Sequence, residues 1–224
     1  MLWSFYHIAL LLGTILSGSY FFLNRSNPEY RKVNAIVFII LMSAILSETF
    51  WHLIPKTTDS KYVHYNLLFV YLKTLVMLGL FHQLPFSCQL QKRVLPTTAV
   101  FLGAGVIISL FVQPLETGVQ SYTYLVGHGM ILFFCIIFFK DILKQNRYQE
   151  VNLLSLPYFW IASWILFSFG ESYIFFILSY SFPEIGTFGV GQTVHWVQFF
   201  AGLMYLSFGL AFYAPFIFSK NYSF

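Results

Sequence analysis

The feature that most constrains this chain is the length of its apolar runs. Met130–Phe139 carries no charged residue, and similar stretches recur along the sequence. Only 9% of the 224 residues are charged and 58% are hydrophobic. A water-soluble domain needs roughly 25% charged residues to solvate its surface, so this chain reads as an integral membrane protein. Outer-membrane barrel strands alternate polar and apolar residues, and unbroken apolar runs exclude that pattern. The net charge of +4 is scattered over short loops. It forms no basic face, which excludes nucleic-acid binding.

A membrane-spanning helix needs roughly 20 apolar residues. On that measure the sequence predicts seven spans: Trp3–Leu23, Val33–Ile54, Tyr65–Leu84, Leu95–Val112, Tyr122–Phe139, Tyr158–Tyr180 and Thr193–Phe216. Pro55, Pro85, Pro114, Pro157 and Pro183 punctuate the ends, where a missing N–H is tolerated. Gly103 and Gly105 weaken the pattern in the fourth span. The first run lacks the basic leader of a secretory signal and is expected to be a span. Nine Lys and Arg residues fall in alternate loops and the tail (Arg25, Arg31, Lys32, Lys92, Arg93, Lys140, Lys144, Arg147 and Lys220). The opposite loops hold Lys56 and Lys61. The positive-inside rule then places the N-terminus outside and the C-terminus in the cytoplasm. The expected fold is an all-α, seven-transmembrane helix bundle in the cell membrane, a single domain over 1–224.

Ionisable groups within spans cost roughly 2.5–3.5 kcal/mol each at mid-membrane on insertion scales, and by default mark function. Here they are Glu48, Lys73, His128, Glu171 and His195 on five different spans, with His52 at the outer end of the second. All sit in the outer half by helix-rise arithmetic. Residues three, four or seven apart share a helical face. By that count Tyr62, Asn66 and Lys73 group together, as do Tyr124 with His128, and Trp164, Ser168 with Glu171. The last span adds the stripe His195, Gln198, Gly202, Tyr205, Gly209. The expectation is an outer ligand pocket formed by Glu48, Lys73, His128, Glu171, His195, Gln198 and Tyr205. Small neighbours in Gly127-His128-Gly129 and Gly170-Glu171-Ser172 either let helices approach or leave room for a ligand.

Two alternatives stay open at this level. Glu48 and His52 have the i,i+4 spacing of two ligands on one face, so Glu48, His52, His128 and His195 could hold zinc or another divalent metal in a lipid hydrolase. Proton or small-ion transport through the acidic pair is the other. No cofactor is otherwise expected. Retinal is argued against because the last span has no lysine.

Ser47-Glu48, Gln113-Pro114 followed by Ser121-Tyr122-Thr123, and Pro157-Tyr158-Phe159-Trp160-Ile161 resemble a family of small bacterial seven-helix proteins of unassigned activity. That family often carries acidic residues where this chain has Lys73 and His128. Its members are similar to the membrane sensor modules of bacterial signalling proteins, which implies sensing. The chain carries no kinase or cyclase motif, so output is expected to pass to a cytoplasmic or membrane partner through the stretch Lys140–Leu156.

Overall fold

In hydrocarbon, backbone N–H and C=O groups find partners only in one another, so apolar runs of this length become helices. The computed structural model describes residues 4–23, 28–53, 60–84, 88–144, 152–181 and 190–218. All regular structure among them is helical. Helix α1 spans Phe5–Leu23 and α2 Pro28–Leu53. Helix α3 covers 60–83 and is composite: α-helical over Ser60–Tyr65, π-helical over Asn66–Leu72 and α-helical again over Lys73–Gln83. Then come α4 (Cys88–Phe111), α5 (Ser121–Lys144), α6 (Pro157–Ser181), α7 (Val190–Ala211) and the short α8 (Ala214–Phe218). Pro28 and Pro157 open α2 and α6, at the position where the missing donor costs nothing.

Six of these helices, α1 to α6, are long and apolar enough to cross a membrane. With α7 they close into a ring in chain order. Each long helix packs on its sequence neighbours, and α7 packs on both α6 and α1. Helices joined this way alternate in direction. One end of the bundle therefore gathers the starts of α1, α3, α5 and α7 with the ends of α2, α4 and α6.

The two ends differ in content. At the end where α1, α3, α5 and α7 finish, the interior is filled by apolar side chains. Met77, Leu78, Phe81, Phe134, Phe138, Phe208 and Phe212 are fully buried there. A polar clasp joins α1 to α2 within this half: the Ser17 hydroxyl donates to Asn34 Oδ1 at 2.8 Å, and Asn34 Nδ2 donates to the Ser17 carbonyl at 2.9 Å. The outer surface is apolar, most evidently on α4, which exposes Leu95, Val106, Ile107, Leu110 and Phe111.

Glycine sets the closest approach in the ring. A Cβ on Gly13 would collide with the Tyr205 backbone carbonyl, and one on Gly209 with the Gly13 backbone. The α1–α7 contact thus depends on backbone meeting backbone, as small residues permit between membrane helices. The weakness expected at Gly103 and Gly105 does not break α4. Gly105 is where the Tyr71 ring lies against the helix, its hydroxyl donating to the Gly105 carbonyl at 2.9 Å. The segment Lys140–Leu156 is not a loop throughout, since α5 continues through Lys144 and a 3-10 turn forms at Leu153–Ser155. Residues 145–151 of it lie outside the described residues.

A polar cavity at one end of the bundle

The end where α1 begins holds a cavity of about 240 Å³. Five of the seven residues expected from sequence line it: Glu48 from α2, Lys73 from α3, His128 from α5, and Gln198 and Tyr205 from α7. Ser168 and Ser172 of α6 add hydroxyls, and Phe69, Phe169, Phe175 and Phe176 supply flat apolar walls.

Lys73 stands directly after the π-helical stretch. Each π-type hydrogen bond spans one residue more than an α-type bond, so the count that grouped Asn66 with Lys73 on one face fails here. Asn66 is committed elsewhere. Its Nδ2 donates to the carbonyls of Leu115 and Gly118 at 2.9 and 2.8 Å, and its Oδ1 accepts from the Gln120 backbone N–H at 3.0 Å. That fastens the α4–α5 loop, whose Val119 forms part of the cavity wall. Gln113 serves the same loop, donating to the Val119 carbonyl at 2.7 Å.

The Lys73 ammonium lies over ring faces: 4.4 Å from the Phe69 centroid, 5.3 Å from Phe169 and 5.8 Å from Tyr205. Such contacts attract a cation through the ring quadrupole, and more so when water is excluded. The Glu48 carboxylate is held separately, Oε1 accepting from the Tyr6 hydroxyl at 3.1 Å. A cation and an anion therefore face one cavity, each anchored by its own aromatic partner.

His128 is fixed by three contacts. Its ring lies 3.6 Å from the Tyr124 ring and stacks on Phe169 at 4.3 Å, and Nδ1 lies 3.0 Å from the Tyr124 carbonyl. A carbonyl only accepts, so Nδ1 carries the proton. In the neutral ring Nε2 is then an acceptor. Tyr124 also packs on Phe69 and Phe176, so the walls are ordered by their own ring contacts.

Glu171 and His195 are not part of the cavity lining. On α6 the lining positions are Ser168, Phe169, Ser172, Phe175 and Phe176. At about 100° per residue, Glu171 falls well to one side of that face. Its Oε2 is buried and accepts no hydrogen bond among the described residues. His195 is exposed and stands off the α7 face that presents Val197, Gln198, Ala201, Met204 and Tyr205. Trp164 also stays outside and meets Phe167 edge-on. The side chain of His52 lies outside the described residues.

Of the four residues anticipated for a metal, the side chain of His52 lies outside the described residues. Glu48 and His128 share the cavity lining and His195 is not part of it. Among the described residues no three His, Cys, Asp or Glu side chains come together as a metal site. Ser47, beside Glu48, donates to the Ser43 carbonyl at 2.8 Å and is not set up as a nucleophile. Of the glycines flanking His128, Gly127 serves packing, since a Cβ there would meet Thr74 and Phe101.

Sequence reasoning did not single out Tyr6, Tyr65 or Phe69 for the site. An aromatic near a span end reads as part of the interfacial belt. The available signal was helical spacing, because Tyr65, Phe69 and Lys73 recur every four residues.

Comparison with family models, with curated proteins and with solved structures finds no match for this chain.

Proposed function

We propose that this protein is a ligand-binding membrane protein of the sensory type, taking a small polar molecule into the cavity. In this reading α7 is a seventh span, the N-terminus lies outside and the C-terminus is cytoplasmic in the cell membrane. The nine-to-two division of Lys and Arg between the two sets of loops supports that orientation, and it makes the cavity open to the exterior. Occupancy is passed to a partner through the cytoplasmic end of α5 and the segment after it, in line with the resemblance to bacterial sensor modules.

The observation that carries the reading is the cavity itself, which Glu48 and Lys73 both line without an ion pair joining them. Charges kept only to fix helix register gain most by closing on one another into a hydrogen-bonded ion pair. Thermal unfolding of the purified protein against a panel of small polar metabolites tests the proposal. A binder raises the unfolding temperature of the natural chain but not of Ala201→Trp, which fills the cavity. Equal shifts in both, or none in either, count against it.

A further inference from the structure

We infer that the cavity selects a small zwitterion, a molecule bearing one carboxylate and one ammonium on an apolar body. The inference rests on the ligand-binding reading above and names the class of molecule. Lys73 and Glu48 bring one positive and one negative charge to the same cavity. A monoanion would neutralise Lys73 and leave Glu48 without a counter-charge, and a monocation would do the reverse. Both residues are half-buried, and a charge partly withdrawn from water is disfavoured when uncompensated. A zwitterion satisfies both.

The anchoring sharpens the fit. Phe69, Phe169 and Tyr205 hold the Lys73 ammonium by their ring faces, which offer it no hydrogen-bond acceptor as strong as an oxygen anion. Its three N–H donors suit a ligand carboxylate. Tyr6 occupies Glu48 Oε1, and the second oxygen remains for an ammonium. His128 Nε2 and the Ser168 and Ser172 hydroxyls add neutral polar partners. The volume sets the size. A cavity of about 150 Å³ admits benzene, so 240 Å³ suits about ten non-hydrogen atoms. The phenylalanine walls suit an apolar or aromatic side chain, and free α-amino acids with such side chains meet every requirement.

The test uses the full chain in nanodiscs and measures binding by calorimetry and thermal shift. The probes are the apolar and aromatic α-amino acids with, for phenylalanine, its two single-charge analogues of matching shape, 3-phenylpropionate and phenethylamine. At least one amino acid is expected to bind ten-fold or more tightly than either analogue type. Glu48→Gln should abolish the preference over the carboxylate analogue, and Lys73→Met the preference over the amine. The comparison among probes on the natural chain stands even where a variant fails to fold. If an analogue binds as tightly as the amino acids, the zwitterion inference is overturned while the cavity remains a binding site. If the amino acids do not bind, the inference is overturned. Failure of the broader metabolite panel as well would remove the binding reading itself.

Discussion

The two ends of this bundle use the same helices for opposite purposes. The end where α3 and α5 finish is packed with phenylalanine and leucine and buries Phe81, Phe134 and Phe138 completely. The end where they begin leaves about 240 Å³ unfilled and spends costly ionisable side chains on its walls. Close packing maximises dispersion contacts, and a void forfeits them. The dry end is thus expected to carry the stability of the fold and the cavity end its selectivity. Substitutions can break or sharpen that division.

The largest effect is expected where the ring closes. Gly209→Val sets a side chain into the Gly13 backbone, which no rotamer relieves. A loss of more than about 5 kcal/mol, the exceptional end of single-substitution effects, should appear as absence of folded protein in detergent. Gly103→Ala is the control, because nothing lies within 4 Å of a Cβ there, and it should fold normally.

Next is a paired test of the two ends. Phe134→Ala opens a hole in the dry half, where the ring is fully buried, and should cost about 3–5 kcal/mol. Phe175→Ala enlarges a cavity that already exists and should cost about 1 kcal/mol or less, measured by denaturant unfolding in detergent. Equal losses would mean that the cavity wall is as much a part of the stabilising core as the dry end.

The charges permit a test of opposite sign. Replacing both partners of a buried ion pair by neutral groups of similar volume is often neutral or stabilising, by about 1–4 kcal/mol, and two charges that do not pair lose no ion pair when both are replaced. Glu48→Gln combined with Lys73→Met is expected to raise unliganded stability within that range and to abolish ligand-induced stabilisation. A marked loss of stability in the double variant would assign the charges to the fold instead of to a ligand.

Much of this division was legible in the sequence. Ionisable residues on separate spans, at matching depth, mark one end of the bundle, and Glu48, Lys73, His128, Gln198 and Tyr205 do meet there. Depth follows from counting along a helix, so it survives small errors in span boundaries. Facing does not. A misplaced direction of about 100° per residue moved Glu171 and His195 off the cavity. The π-helical stretch before Lys73 left no local signal, and its first residue, Asn66, is tied to the loop near Gln120, a contact distant in sequence. The grouping of Asn66 with Lys73 assumed a regular α-helix and failed for that reason. Tyr6 was missed because a tyrosine near a span end has an ordinary interfacial role, and its link to Glu48 joins two different helices.

That link offers the finest test of the division. Tyr6→Phe removes one hydroxyl and keeps the ring that packs edge-on against Tyr205 at 5.9 Å. Side-chain hydrogen bonds between membrane helices average about 0.6 kcal/mol in double-mutant cycles, so unfolding should shift by about that amount. Its larger influence should fall on binding. Without the Tyr6 donor, Glu48 loses the contact that holds Oε1, and the carboxylate must be re-ordered each time a ligand arrives. An affinity loss of about threefold corresponds to the same 0.6 kcal/mol, so a tenfold or greater loss would exceed the bond itself and identify Tyr6 as a residue that positions Glu48 for an ammonium. The readout separating these cases is the preference for an amino acid over its carboxylate-only analogue. A positioning role predicts that this preference narrows in Tyr6→Phe, whereas a merely structural bond lowers both affinities together and leaves their ratio unchanged.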